Sequence, residues 1–117
     1  MAKNTNSTRY FSDVQEEKVA ELLGGSKVIN SGATKFLKGD VIVKEANLSI
    51  ECKTVTSEKV NFSIKKEWLD KHEKESKECH YYNTALAITF SPDAKENYFI
   101  INEKLMKYLV EKLKEEI

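Results

Sequence analysis

Hydrophobic residues recur at helical spacing in some stretches of the chain and at strand spacing in others. Residues 1–8 are small and polar without any periodicity, and they predict a flexible leader. Ser12, with Gln15 three residues later, fits a capping box, and apolar residues then follow at helical spacing up to the glycine pair at 24–25. We therefore predict a first helix over residues 13–23.

The segments after this helix change to the two-residue spacing of strands. Residues 27–30 predict a short strand, and residues 40–44 and 48–53 predict a hairpin around a Glu-Ala-Asn turn. The apolar run at 84–90 is nearly continuous, which is typical of a strand covered on both faces and hence central in its sheet. Residues 98–101 predict a last strand.

Two more helices are predicted from apolar stripes. One stripe between residues 63 and 79 indicates an amphipathic helix with a strongly charged outer face. Another stripe follows the capping residue Asn102 and predicts a closing helix that either covers the sheet or meets a partner. The predicted order of elements is α-β-β-β-α-β-β-α.

Length and composition limit the chain to one domain, which we place at residues 9–117. The 117 residues are 40% hydrophobic, enough for one modest core. The 19 basic and 19 acidic residues balance, so any surface for nucleic acid must be local. No apolar stretch approaches the roughly 18 residues that cross a bilayer, and the first residues lack a hydrophobic signal region. We expect a cytoplasmic protein without a membrane partner.

The two cysteines do not indicate a disulfide framework or a zinc site. Cys52 and Cys79 are far apart in sequence and lie in neither a Cys-x-x-Cys pattern nor a zinc-ligand spacing. We expect reduced thiols at both positions.

One strand carries the candidate chemistry. In the predicted strand 48–53, Glu51 and Lys53 lie on the face opposite to the apolar residues. Asp40 begins the antiparallel partner strand, where pairing and twist bring its carboxylate towards Glu51. Hydrolysis of a phosphodiester needs a divalent cation held by oxygens and a positioned water. Asp40 and Glu51 would bind Mg²⁺ with the backbone carbonyl of Cys52, and Lys53 would orient the water or the phosphate.

The pattern has an alternative interpretation. Glu-x-Lys occurs three times, at Glu16, Glu51 and Glu75, and only Glu51 lies in an alternating apolar strand. On the residues alone, a solvated, salt-bridged strand face stays open as the other interpretation.

The first helix supplies a further acid. Glu16 falls among Val19, Ala20 and Leu23 on the apolar stripe, where an uncompensated carboxylate is costly. A metal or its bound water would compensate the cost of this buried carboxylate. The alternative is a glutamate near the helix start that the helix dipole favours. Glu17 is the fallback and points elsewhere.

These residues resemble the PD-(D/E)xK nuclease superfamily, and within it the small Holliday-junction-resolvase-like endonucleases of phages, bacteria and archaea. The similar stretches are 15–25, 31–33, 38–41, 50–54 and 62–69. One departure is that Gly39 stands before Asp40, where the superfamily name has proline.

The resemblance implies a fold, a site and an activity. The fold is restriction-endonuclease-like, an α/β class with a mixed sheet flanked by helices. Asp40 and Glu51 correspond to metal ligands, Lys53 to the signature lysine, and Glu16 to the acid that completes the site, directly or through a water. The implied activity is Mg²⁺-dependent hydrolysis of branched DNA by a homodimer in a bacterial, archaeal or phage-infected cell, and Mn²⁺ substitutes for Mg²⁺.

DNA contacts are expected in two places. A loop hydroxyl, an uncluttered amide and two lysines would lie near the metal, at Ser31, Gly32, Lys35 and Lys38. The start of the second helix offers Lys65 and Lys66, which the helix dipole disfavours there. The alternatives are a simple turn and a solvated lysine face. Arg9 is the one arginine of the chain, which favours recognition of backbone and shape over base reading.

The leading hypothesis is thus a metal-dependent DNA endonuclease selective for branched substrates. A nuclease that acts on ordinary duplex or flap DNA and a non-catalytic DNA-binding module of the same fold are the alternatives. We assign no functional role to Trp68, expected in the core, to His72, or to the aromatic group His80, Tyr81 and Tyr82.

Overall fold

A five-stranded mixed sheet with three helices makes up residues 8–29 and 39–116, the part of the chain that the computed structural model describes. This confirms the α/β class. The elements, with a short 3₁₀ turn at Lys44–Ala46 between β2 and β3, are α1 Thr8–Leu23, β1 Ser26–Lys27, β2 Val41–Val43, β3 Leu48–Lys53, α2 Lys66–Glu78, β4 Asn83–Thr89, β5 Asn97–Ile100 and α3 Glu103–Glu115.

The strands lie in the order in which they follow one another along the chain, from β1 to β5. β3 and β4 are parallel, and the other neighbouring pairs are antiparallel. The parallel pair requires a crossover connection, which α2 provides. β4 lies inside the sheet, and its last five residues are buried. The prediction of a strand covered on both faces is confirmed.

The core lies between α1 and one face of the sheet. Val19 and Ala20 of α1 pack against strand residues that include Val41 and Ile50, and Leu48 and Cys52 border this cluster. The alternation along β3 therefore points its apolar residues at α1. Ser49, Glu51 and Lys53 point to the opposite face, which α2 approaches.

The predicted start of α1 is wrong. The helix begins at Thr8, the last residue of the predicted leader, and residues 1–7 lie outside the described part. Ser12 is inside the helix, so it does not cap it. The amide of Gln15 bonds into the sheet instead of reaching back to Ser12. Ser12 and Gln15 therefore match the capping-box pattern in residue type only. The helix starts before Ser12, and the contacts of Gln15 with the sheet are not visible in the local sequence.

The other boundaries move by a few residues. β1 has two residues, at Ser26–Lys27, in place of the predicted 27–30. α2 begins at Lys66 in place of Ser63, because Lys65 still has an extended backbone with φ −93° and ψ 129°.

α3 carries its apolar stripe on the surface. Its N-cap is confirmed, since Asn102 Oδ1 accepts a hydrogen bond from the Leu105 amide at 2.9 Å. None of its residues is buried, and Met106 and Leu113 are more than half exposed. Within residues 8–29 and 39–116, no helix is long and apolar enough to cross a membrane.

Candidate functional site

Asp40 is fixed beside β3 by two hydrogen bonds. Its amide donates to the carbonyl of Ile50 at 2.8 Å, and its Oδ2 accepts from the amide of Cys52 at 2.7 Å. The carboxylate therefore lies against the backbone of the residue between Glu51 and Lys53. N–H and C=O of one strand residue point to the same edge, so the Cys52 carbonyl faces the side of Asp40 as well.

Gly39 allows the backbone just before Asp40 to pass close to β3 and α2. Its φ is +100°, a region that proline cannot adopt and that other L-residues rarely adopt. A Cβ at this position would collide with Ser49 Oγ and lie 3.1 Å from His72 Cε1. The glycine that departs from the Pro-Asp pattern is therefore required by the local backbone and by its close neighbours.

The side chains of Asp40, Glu51 and Lys53 lie close enough to interact electrostatically. Burial raises the pKa of Asp40, and the hydrogen bond from the Cys52 amide and the charges of His72 and Lys53 partly oppose this. Burial also raises the pKa of Glu51, against the nearby charges of Lys53 and His72. The two acids and the amine thus occupy one region at the edge of β3.

Glu51 has a buried oxygen without a hydrogen bond to any of the described residues. This oxygen, Oε2, has no partner within residues 8–29 and 39–116. An unpaired carboxylate oxygen in a desolvated place is costly unless a cation or a donor occupies the space beside it. This orphaned oxygen is the feature of the structure that most directly suits a bound cation.

Glu16, and not Glu17, belongs to this region. Glu16 is half-buried, and burial, with the charge of Asp40 as the next cause, raises its pKa to about 7. Glu16 and Asp40 line the same open cavity of about 330 Å³. Glu17 is exposed and pairs with Lys27 at 3.7 Å. Of the two glutamates that the sequence left as candidates, Glu16 is the one that lies beside Asp40.

The raised pKa of Glu16 predicts a pH dependence for the metal-free protein. Its folded pKa of about 7 lies above the ordinary value of 4.5, so its contribution to stability is complete below 4.5 and is lost as pH rises through 7. From about pH 5 to about pH 8 the free energy of unfolding should fall by about 1 kcal/mol. This is less than the full pKa shift would give, because solvent screens the charge of a half-exposed group.

Urea unfolding in EDTA across this pH range measures the effect. Glu16→Gln should flatten the pH dependence, whereas the adjacent and exposed Glu17→Gln should behave as the unaltered chain does. Equal pH slopes for the two variants would contradict the assignment.

The oxygen donors of this region suit Mg²⁺ better than a metal whose ligands all come from protein side chains. Within the described residues, no group of three or more His, Cys, Asp and Glu side chains could hold a metal ion. Direct ligation by Asp40, Glu51 and Glu16 together is therefore not supported. Mg²⁺ is usually bound by one or two carboxylates, with waters and substrate oxygens completing its shell. Asp40, Glu51 and the Cys52 carbonyl are oxygen donors of the kind that this pattern needs.

Gln15 connects the helix of Glu16 to the strand of Lys53. Its side chain is fully buried, and its Nε2 lies 3.0 Å from the carbonyl of Lys53, 3.2 Å from that of Ala87 and 3.1 Å from Asn97 Oδ1. These acceptors belong to β3, β4 and β5. Gln15 thereby sets the position of α1 over the sheet, and with it the position of Glu16.

α2 contributes two side chains to the polar face of β3. The ring of His72 is buried, and its Nε2 donates to the carbonyl of Ser49 at 3.0 Å. Lys53 Nζ lies 4.4 Å from the ring centroid of Trp68. Trp68 is half-buried, so the prediction of a core tryptophan is wrong: the ammonium of Lys53 lies over its ring.

The predicted DNA contacts are only partly visible. Ser31, Gly32, Lys35 and Lys38 lie outside the described residues. Lys65 is exposed and lies 5.9 Å from the ring centroid of Trp68, on the side of the site. Lys66 is ion-paired with Asp70 at 2.7 Å, one helical turn further along α2. The pairing with Asp70 leaves Lys65 as the better placed of these two lysines.

Gln15 and Trp68 are the residues of this region whose position the sequence did not indicate. Gln15 lies four residues before the fully buried Val19 and so shares its helical face, but the local sequence does not show that its amide bonds to the sheet. No signal marked the position of Trp68, because an aromatic residue on an apolar stripe is equally typical of a core.

Comparisons with known proteins add no assignment. No protein-family model matches the chain, and neither the curated proteins nor the solved structures contain a match.

Proposed function

We propose that this chain is a metal-dependent DNA endonuclease with a restriction-endonuclease-like fold. The observation that carries the proposal is the convergence of Asp40, Glu51 and Lys53 at one edge of β3, with a buried carboxylate oxygen of Glu51 that has no partner among the described residues. A mixed sheet with α1 on one face and the crossover helix α2 towards the other is compatible with that fold.

Mg²⁺ is the proposed cofactor, and Mn²⁺ would replace it. Asp40, Glu51 and the carbonyl of Cys52 would hold the ion, and Glu16 would contact it through a water. When bound, such an ion supplies a Lewis acid that neutralises charge on the phosphate. Its presence would also offset the cost of burying these carboxylates, which raises the pKa of each of them in the free protein.

The protein's own groups would orient the substrate and the attacking water. Lys53 Nζ can donate hydrogen bonds to a phosphate oxygen or to the water, and it is held near Asp40 and Glu51. Glu16 lines the same cavity as Asp40, where its carboxylate could accept a hydrogen bond from the attacking water. The amide of Cys52 fixes the Asp40 carboxylate in position.

DNA with a branch point is the proposed substrate, and a homodimer the proposed form. The chain has no net charge, so one copy offers little attraction for DNA, whereas two copies would combine their local lysine patches. Lys65 beside the site supplies one such local charge. The preference for branched DNA comes from the resemblance to the junction-resolving endonucleases.

A panel of labelled substrates tests the proposal. We expect Mg²⁺- or Mn²⁺-dependent cleavage of a four-way junction at least about tenfold faster than of a linear duplex or a flap of the same sequence. Equal cleavage of all three would favour the general nuclease over the junction-selective one. Binding without cleavage under any divalent metal would overturn the nuclease and support a non-catalytic DNA-binding module. Sedimentation with and without DNA tests the dimer.

A further inference from the structure

The single tryptophan of the chain lies close to two cations at the edge of the candidate site. Its ring centroid is 4.4 Å from Lys53 Nζ and 5.9 Å from Lys65 Nζ. The Lys53 ammonium therefore has an aromatic face on one side and interacts with Asp40 and Glu51 as well.

Trp68 is itself held in place by the start of α2. Its amide donates to the carbonyl of Lys65 at 3.0 Å, which closes the first turn. One helical turn later, His72 binds the carbonyl of Ser49. α2 is thus attached to β3 at Ser49 and contacts it again at Lys53, so the helical turn that carries Trp68 is tied to the strand that carries Glu51 and Lys53.

A lysine needs such a support more than an arginine does. Its ammonium sits on a flexible four-carbon stem, and rotamer entropy opposes fixing it in one place, whereas the planar guanidinium of arginine is pre-organised. A cation over a tryptophan face is attracted by the ring, and tryptophan attracts it most strongly of the aromatic side chains. This attraction can offset the entropy and hold the ammonium in one position.

We propose that Trp68 is a positioning residue for Lys53. Its ring keeps the lysine ammonium directed at the metal and the scissile phosphate. This inference rests on the proposed function. Lys65 lies near the same ring at the start of α2. A ring that instead stacks on an extruded base is a different role, which the following experiment separates from this one.

Single-turnover cleavage at saturating DNA is the first measurement. Trp68→Leu should lower the cleavage rate about tenfold with little change in DNA affinity, and Trp68→Phe should lie between Leu and the unaltered chain. Tyr108→Leu is the matched control, because Lys112 lies 5.5 Å from the Tyr108 ring on α3, away from the site. That variant should cleave at the unaltered rate.

The outcomes separate the possible roles. Equal rates for Phe and Leu at position 68 would indicate packing alone and overturn the inference. Weaker DNA binding with an unchanged saturated rate would indicate base stacking and would also overturn it. If Lys53→Ala abolishes cleavage while Trp68→Leu does not change it, the proposed function stands and the positioning role is wrong.

Tryptophan emission of the metal-free, DNA-free protein gives a readout that needs no catalysis. Trp68 is the only tryptophan, so Lys53→Met should shift or intensify its emission, whereas Lys112→Met should not. An emission spectrum unaffected by Lys53→Met would overturn the contact on which the inference depends. Failure of the unaltered chain to cleave any DNA would instead overturn the proposed function, whatever the emission shows.

Discussion

Replacing Asp40 by Asn is expected to lower the rate of DNA cleavage by at least about 10³-fold and to leave the chain folded. The amide oxygen of Asn can still accept the 2.7 Å hydrogen bond from the Cys52 amide, so the local backbone is kept. The negative charge that would hold Mg²⁺ next to Glu51 is lost. The loss is therefore chemical, and it should appear as a slower single-turnover rate with near-normal thermal unfolding.

Asp93→Asn is the matched control for this variant. Asp93 is exposed, lies in the turn after β4, and accepts hydrogen bonds from Ser91 and Lys95, which an Asn can also accept. It should cleave as the unaltered chain does. Cleavage by Asp40→Asn at the rate of Asp93→Asn would exclude Asp40 from the site.

Gln15→Ala is expected to reduce the free energy of unfolding by about 2–4 kcal/mol. The side chain is fully buried, so its removal leaves a cavity and withdraws the donor from carbonyls of β3 and β4. Gln15→Leu keeps the volume and loses only the donor, so its cost should be the smaller of the two. Urea unfolding of the metal-free protein measures both.

An exposed position on the same helix provides the reference. Glu21→Ala should change the free energy of unfolding by less than about 0.5 kcal/mol. Because Gln15 Nε2 also lies 3.1 Å from Asn97 Oδ1, a cycle with Asn97→Ala should show a coupling of about 0.5 kcal/mol or more. A Gln15→Ala variant as stable as Glu21→Ala would mean that the amide does not hold α1 to the sheet.

The fold was predictable where the hydrophobic pattern is compatible with only one kind of secondary structure. The alternation in β3 and the continuous apolar run of β4 each identified their strands to within a residue, because such patterns bury one face or both. The start of α1 was not predictable, since Thr8 to Ser12 contain no stripe and are helical nonetheless. Helix ends depend on tertiary contacts that the local sequence does not encode.

The candidate site was predictable as a set of acids and an amine on one strand and its partner. The period of two placed Glu51 and Lys53 together, and the antiparallel pairing of β2 with β3 brought Asp40 beside them. The supports of that set were not predictable. Trp68 and Gln15 act across the sheet from other elements, and their contacts depend on how α2 and α1 dock on it.

The most direct test of the central claim is the location of a metal in crystals of the protein soaked with Mn²⁺. The anomalous signal should show an ion about 2.1 Å from carboxylate oxygens of both Asp40 and Glu51, including the Glu51 oxygen that has no hydrogen-bond partner in the part of the chain that the structure describes. An ion bound elsewhere, or none between these two carboxylates at saturating Mn²⁺, would contradict the account.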